Sequence, residues 1–254
     1  MSKINSTLKN YGLSVYKVSI LGTGIIFCIV SMILTLVWGE TKNILYILST
    51  VMLLFGPVIV GNWMKFSINP AMFTFVMFYA VTPLLGSMYK LYYLTSWWDD
   101  LLHFSGGVVF AILGIFAAKF LNSKNKNSLI MCAVFGFCFS MTLSVLWEFF
   151  EYGMDTFFGR DMQMDTIITH INSYLLGDGA GTQGSIDNIQ SVVVNGQVLE
   201  GYIDIGLIDT MSDMLLECFG ALIYCVIFLI DRDKHPILTT ISKEKEPDRL
   251  DPAE

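Results

Sequence analysis

The stretch VSILGTGIIFCIVSMILTLVW, residues 18–38, decides the fold because it holds no charged residue over its whole length. About 20 apolar residues in a helix are enough to cross the hydrocarbon core of a bilayer. Outward from this stretch, comparable apolar runs recur at 44–63, 72–94, 101–121, 128–152 and 211–230. Only 15% of the residues are charged, against about a quarter in soluble domains, so a lipid solvent accounts for the composition. The sequence predicts a single all-α, polytopic transmembrane domain over residues 1–254, a helix bundle with about six spans.

Lysine and arginine are unevenly distributed between the loops, and this asymmetry predicts the orientation of the spans. One side of the membrane would carry most of them, namely Lys3, Lys9, Lys17, Lys65, Lys119, Lys124, Lys126, Arg232, Lys234, Lys243, Lys245 and Arg249. The other side would carry only Lys42, Lys90 and Arg160. We therefore expect a multi-pass protein of the bacterial cytoplasmic membrane, with both termini in the cytoplasm and a flexible cytoplasmic tail at 231–254. The expected partner is the lipid bilayer, and no nucleic acid is expected.

The long polar segment at 155–210 is predicted to be an extracytoplasmic loop, in which eight acidic residues face a single basic residue, Arg160. The dipeptide Asn195-Gly196 stands between two short apolar runs and predicts a β-hairpin with a tight turn. A short amphipathic helix at the membrane surface is predicted by four apolar residues at helical spacing, which are Met164, Ile168, Ile171 and Leu175. We expect the loop to form a small lid-like element, not a separate domain.

Three segments bring acidic residues to the predicted outer ends of the last three spans: WDDLLHFSGG (98–107), WEFFEYGMD (147–155) and DTMSDMLLE (209–217). Residues three and four apart are neighbours on a helix surface. These spacings therefore place three sets of side chains on shared faces, namely Asp99, Asp100 and His103; Glu148, Glu151 and Asp155; and Asp209, Asp213 and Glu217. The three sets are expected to lie at similar depth, at the same side of the membrane.

Ionisable side chains at such depth are costly unless they are paired, hydrated or bound to a metal ion. Several carboxylates with one imidazole suit Mg²⁺, Mn²⁺, Zn²⁺ or iron, so we expect a divalent metal ion as cofactor. The candidate ligands are His103, Glu148, Asp213, Asp99, Asp100, Asp155 and Asp209. Glu151 is the candidate catalytic residue, as a general base. Simpler interpretations remain: Asp99 and Asp209 could only cap helices, and His103 could be a structural hydrogen-bonding residue.

The segments that carry these residues resemble a known family. The elements Asp99-Asp-Leu-Leu-His103, Leu146-Trp-Glu-Phe-Phe-Glu151 and Asp209-Thr-Met-Ser-Asp-Met214 resemble a family of bacterial integral membrane proteins often labelled only "membrane-spanning protein". The resemblance covers roughly residues 97–230 and extends more distantly to YjdF-like inner-membrane proteins, which have a shorter link before the last element. It implies a helical membrane fold and carries no activity with it.

Three functions are consistent with the sequence. The first is a metal-dependent enzyme acting on a lipid or lipid-linked substrate at the outer leaflet. The second is a cation-binding transporter or channel whose acids form an outer vestibule. The third is a non-catalytic membrane or envelope factor in which metal ions or protons only stabilise the helices. The sequence leaves open whether the protein is an enzyme.

Overall fold

The protein is described by a computed structural model that covers residues 14–64, 66–67, 70–121, 128–231 and 242–243. Most of these residues are helical, and the helices are α1 (Val15–Trp38), α2 (Asn43–Met64), α3 (Pro70–Ser87), α4 (Leu91–Leu94), α5 (Trp98–Leu121), α6 (Leu129–Phe158) and α7 (Leu207–Asp231). The prediction of a flexible tail at 231–254 falls almost entirely outside the described residues.

Five of the helices, α1, α3, α5, α6 and α7, are long and apolar enough to cross a membrane. Helix α2 coincides with the second predicted span, although its described apolar stretch at 43–59 is shorter than the other five. The predicted fold class, a mainly helical chain with multiple membrane spans, is confirmed. Helix α6 has 30 residues, about 45 Å at 1.5 Å per residue, so it exceeds a hydrocarbon thickness of about 30 Å by almost three turns. The connection between α6 and α7 therefore starts after Phe158 and ends before Leu207.

The chain divides into two compact units, one formed by 1–102 with 228–254 and the other by 103–227. In the first unit, α1, α2 and α3 enclose an apolar core in which Leu54 and Leu84 are almost completely buried. Hydroxyl groups satisfy each other within this unit, as Ser31 and Tyr89 do at 3.1 Å. The description of the whole chain as one membrane domain stays a prediction.

In the second unit, small residues bring helix backbones into direct contact. A Cβ added to Gly107 of α5 would lie 2.0 Å from the carbonyl oxygen of Glu217 in α7, and one added to Gly220 would lie 2.1 Å from that of Phe104. Helix α6 also packs closely on α5, because the hydroxyl of Ser140 donates a hydrogen bond to the Gly107 carbonyl over 3.1 Å. Glycine permits such close approach between helices in membranes, so the three helices are held at short distance.

The α6–α7 connection contains short antiparallel strands: β2 (Ile167–Ile168), β3 (Ile171–Ser173), β4 (Gly184–Ile186), β5 (Val192–Val194), β6 (Gln197–Leu199) and β7 (Tyr202–Ile203). They pair as β2 with β7, β3 with β4, and β5 with β6. Elsewhere, β1 (Phe66–Ser67) pairs with β8 (Ser242–Lys243). The predicted hairpin is confirmed, since Val194 faces Gln197 across a turn in which Asn195 and Gly196 have φ of 49° and 84°.

The predicted amphipathic helix at 164–175 is wrong. This segment holds β2 and β3, followed by one 3-10 turn at Tyr174–Leu176. Ile167, Ile168 and Ile171 are β-branched and favour extended backbone. Their pairing partners lie far along the chain, Ile203 opposite Ile167 and Ile186 opposite Ile171, and these distant contacts override the local helical spacing.

Candidate functional site

The second unit brings an imidazole and a carboxylate together across α5 and α7. Nε2 of His103 lies 3.5 Å from Oδ2 of Asp213, and the two residues are 7% and 2% exposed. The position of this pair follows from the glycine contacts, because His103 is four residues before Gly107 and Asp213 is four before Glu217, whose carbonyl touches Gly107. The close backbone approach therefore fixes the helical turns that carry the pair.

Helix α6 adds two glutamates to the same place. Ligand oxygens of Glu148, Glu151 and Asp213 all lie within 4.8 Å of one another, and all three residues are buried. Glu148 and Glu151 reach the interior together because they are three residues apart, on the face of α6 that also buries Ser140 and Ser144. We call His103, Glu148, Glu151 and Asp213 the carboxylate cluster.

Glu148 is the member of the carboxylate cluster with the least compensated charge. The residue is 4% exposed, and neither carboxylate oxygen has a partner in hydrogen-bonding geometry among the described residues, although Thr210 lies beside it. A buried carboxylate that lacks hydrogen bonds is strongly destabilising unless a proton or a cation compensates it. The carboxylate of Glu148 therefore requires a proton or a cation to compensate its burial.

Glu151, in contrast, is oriented by its own helix. Nε1 of Trp147 donates a hydrogen bond to Oε1 of Glu151 over 2.9 Å. Trp147 is half exposed, so its ring lies at the edge of the helix while its N–H reaches inward. This contact is not evident from the sequence, where Trp147 is indistinguishable from an interfacial aromatic residue.

Buried polar groups continue from the carboxylate cluster into the second unit. Glu217, one turn after Asp213 on α7, is 3% exposed and lies beside Ser144 of α6. Ser144 and Ser140 are fully buried on the face of α6 that carries Glu148. The polar interior thus extends at least two helical turns beyond Glu148.

Two other sequence candidates, Asp155 and Asp209, make different contacts. The carboxylate of Asp155 accepts hydrogen bonds from the backbone N–H groups of Met162 and Gln163 over 2.7 and 2.8 Å. The carboxylate of Asp209 accepts one from the N–H of Met164 over 2.9 Å. Asp155 lies four residues after Glu151, and Asp209 lies four residues before Asp213. These two acids therefore hold a loop segment one helical turn above the carboxylate cluster.

Gln163 and Asp204 also hold the loop in place. Gln163 was not predicted from the sequence, because no neighbouring residue or spacing distinguishes it from other polar loop residues. Nε2 of Gln163 donates to Oγ1 of Thr210 over 2.5 Å. Asp204 accepts hydrogen bonds from the backbone N–H groups of Thr166 and Ile208 over 2.9 and 2.8 Å. Partial burial alone would raise the pKa of Asp204, but backbone N–H donors outweigh it and hold the pKa below its ordinary value.

The remaining candidates, Asp99 and Asp100, lie in the first turn of α5 and belong to the first unit. Asp100 is exposed, whereas Asp99 is half-buried. Acidic residues in the first turn interact favourably with the helix dipole, so capping of α5 accounts for Asp100 without a ligand. Of the seven predicted metal ligands, the second unit places His103 beside Asp213, and Glu148 beside Asp213 and Glu151.

The carboxylate cluster has the chemistry of a metal site. The carboxylates of Glu148, Glu151 and Asp213 lie close enough together that they could hold a divalent metal ion, and the imidazole of His103 lies next to Asp213. Oxygens bound to one Mg²⁺ ion at about 2.1 Å lie at most about 4.2 Å apart. The oxygens of Glu148, Glu151 and Asp213, which all lie within 4.8 Å of one another, are within a small inward movement of this geometry.

The chain belongs to a family described as "Predicted membrane protein (DUF2238)", whose sequence profile matches residues 19–234. That range includes every residue of the carboxylate cluster. No curated protein and no solved structure gives a significant match. The family description makes the chain a membrane protein, and its helices make it a multi-pass one.

Proposed function

We propose that this member of the family binds a divalent metal ion through His103, Glu148 and Asp213, and that the ion serves a metal-dependent reaction at the membrane surface. The observation that carries the proposal is the buried carboxylate of Glu148, which lies next to Glu151 and Asp213 and has no partner in hydrogen-bonding geometry among the residues that the structure describes. The distribution of basic residues supports the same proposal, since Arg160 is the only Lys or Arg between residues 129 and 231. A metal ion would supply the missing positive charge.

Electrostatic repulsion explains why a cation is favoured over an empty cluster. Two unit charges about 4 Å apart repel by roughly 4 kcal/mol at an effective dielectric near 20. Three carboxylates within 4.8 Å of one another would therefore oppose the packing of α6 against α7 unless a cation or protons neutralised them. A shared proton can compensate a pair of carboxylates, but the imidazole of His103 next to Asp213 adds a donor typical of metal sites.

The enzymatic role is supported by the difference between the two glutamates. A metal ion lowers the pKa of a bound water and makes it a nucleophile near neutral pH. Glu151 is the candidate base for that water, because Trp147 orients its carboxylate next to those of Glu148 and Asp213. The cluster residues lie about one and a half to three helical turns inside the ends of their helices. Because those ends are predicted to face the outside of the cell, the substrate we propose is a lipid or lipid-linked molecule entering from the outer leaflet.

A second candidate function is cation transport, and the buried polar groups beyond the cluster favour it. Glu217, Ser144 and Ser140 would offer oxygens to a cation moving inward from Glu148. The two candidates differ in outcome. A transporter reconstituted in vesicles should move Mn²⁺ or Zn²⁺ across the membrane, whereas an enzyme should change the lipids without cation flux.

The proposed site is tested by the metal content of the purified protein, measured by inductively coupled plasma mass spectrometry. We expect about one divalent metal ion per chain, and its loss in Glu148→Gln, which keeps the size of the side chain and removes the charge. Glu200→Gln is the matched control, because Glu200 is an exposed loop residue outside the cluster. A metal content that Glu148→Gln leaves unchanged would contradict the assignment.

The proposed reaction needs a separate test. Vesicles of native lipid extract that contain the protein should show a metal-dependent change in lipid composition by mass spectrometry, and Glu151→Gln should abolish it while metal content is retained. If metal binds and neither the lipids nor the cation distribution change, the metal has a structural role.

A further inference from the structure

The loop segment Met162–Met164 crosses the ends of α6 and α7, and we call it the strap. Three side chains attach it: Asp155 of α6 holds the N–H groups of Met162 and Gln163, Asp209 of α7 holds that of Met164, and Gln163 reaches Thr210. The strap is therefore joined to both helices that carry the acids of the carboxylate cluster. The contacts involve both helices, because Asp155 belongs to α6 whereas Asp209 and Thr210 belong to α7.

The attachment points lie directly beside the carboxylate cluster. Thr210 and Asp209 are both neighbours of Glu148. Asp155 and Asp209 are each one helical turn, about 6 Å along the helix axis, from Glu151 and Asp213. The cluster residues are between 2% and 7% exposed. The side chains that would bind a ligand are thus buried, and the strap is attached to both helices about one helical turn away from them.

Packing also holds the strap in place. Gly206, just before α7, is buried and has φ of 81°; a Cβ there would lie 2.8 Å from the carbonyl oxygen of Gln163. This left-handed conformation suits glycine. The residue directly before α7 therefore packs against Gln163, the middle residue of the strap.

We propose that the strap is a lid, and that a ligand reaches Glu148 from the loop side when the contact between Gln163 and Thr210 opens. The proposal rests on the proposed function only in assuming that the cluster takes up a ligand. The contact is a single hydrogen bond between neutral groups, which contributes modestly to stability and can break without unfolding α6 or α7. The aspartate contacts on either side would keep the strap attached to α6 and α7 while the Gln163 side chain moves away from Thr210.

The first experiment measures access without any metal. Glu148→Cys is introduced into full-length protein whose five native cysteines are replaced by serine, and its reaction with a water-soluble maleimide is followed in chelator. With the strap intact we expect slow labelling, and with Gln163→Ala we expect labelling about three- to tenfold faster, the effect of one lost hydrogen bond. Asn172→Ala is the matched control, because Asn172 hydrogen-bonds His170 and Ser185 on the β3–β4 sheet and does not contact the strap.

The lid proposal would be contradicted by fast labelling of the protein that keeps Gln163. It would also be contradicted if Gln163→Ala did not change the labelling rate. If Glu148→Cys does not fold, Glu151→Cys serves the same purpose. The second experiment measures release of bound Mn²⁺ to excess chelator, which Gln163→Ala should accelerate by a similar factor while Asn172→Ala leaves it unchanged. Protein that binds no metal refutes the proposed function, and the labelling rates still judge the lid.

Discussion

Nε2 of His103 lies 3.5 Å from Oδ2 of Asp213, and these two atoms come from helices whose backbones touch one turn further in, at Gly107 and Glu217. The short distance between the side chains depends on the close approach of the helices. Packing of α5 against α7 and the geometry of the carboxylate cluster are therefore coupled, and a change in one should appear in the other.

A double-mutant cycle tests whether His103 and Asp213 bind the same ion. Each single variant, His103→Ala and Asp213→Asn, should weaken Mn²⁺ binding by more than about 100-fold. Losing a residue that only supports a metal ligand weakens binding by up to about 100-fold, and losing a ligand itself should weaken it further. Combining them should add little, because the ion is lost in either case. Isothermal titration calorimetry provides the affinities. Additive losses would mean that the two residues act at separate places.

Glycine packing is tested by a matched pair of alanine variants. Gly220→Ala places a Cβ 2.1 Å from the carbonyl oxygen of Phe104 and should destabilise the protein by about 1–3 kcal/mol, the usual effect of overpacking. Gly153→Ala meets no atom within 4 Å and should be neutral or stabilising by up to about 1 kcal/mol, since alanine favours helix. Thermal unfolding in detergent measures both. Metal affinity should fall only in Gly220→Ala, and equal behaviour of the two variants would argue against close packing.

The anchoring of the loop by Asp204 predicts a specific dependence on pH. Its carboxylate accepts backbone hydrogen bonds that hold its pKa below the ordinary value. The stabilisation is therefore fully present above the ordinary pKa of about 4 and is lost as the pH falls through the lowered pKa of the folded state. Protection of the Thr166 and Ile208 amides from hydrogen exchange, relative to intrinsic rates, should follow this course.

Asp204→Ala should lower that protection at neutral pH by up to about tenfold and remove its acid-dependent loss. Asp178→Ala, at an exposed loop position, is the control and should keep the wild-type profile. Equal protection of the Thr166 amide in the wild-type protein and in Asp204→Ala would show that the backbone contacts of this carboxylate do not stabilise the loop.

The orientation in the membrane remains a prediction from the distribution of Lys and Arg. An alkaline phosphatase fusion near Gly184, in the α6–α7 connection, should be active, since this connection is predicted to be extracytoplasmic. Fusions at the C-terminus should be inactive. An inactive but stable fusion near Gly184 would reverse the orientation and place the carboxylate cluster toward the cytoplasm.

The helices and the hairpin could be predicted because their causes are local. Apolar length alone gives the spans, and Asn195-Gly196 supplies the positive φ values that the turn needs. The failed helix at 164–175 has a non-local cause. Ile167 and Ile168 are extended because they pair with Ile203 and Tyr202, and no pattern within 164–175 contains that information.

The site shows the same division. Helical spacing correctly placed Glu148 and Glu151 on one face of α6, and both are buried there. Spacing could not reveal that Asp155 and Asp209 accept backbone hydrogen bonds from the strap, because the demand comes from loop N–H groups that have no helix or sheet partner. The same limit explains why Gln163 was missed. Its importance comes from its contact with Thr210, which depends on the folded path of the loop.

The central claim is that a divalent cation compensates the carboxylate cluster, and the effect of chelator on thermal stability tests it most directly. A ligand that binds only the folded state raises its stability, so chelator should lower the thermal midpoint of the purified protein at neutral pH and added Mn²⁺ or Zn²⁺ should restore it. His103→Ala should lose most of this response, while Glu200→Gln should keep it. A midpoint that neither chelator nor added metal changes, in protein without bound metal, would contradict the claim.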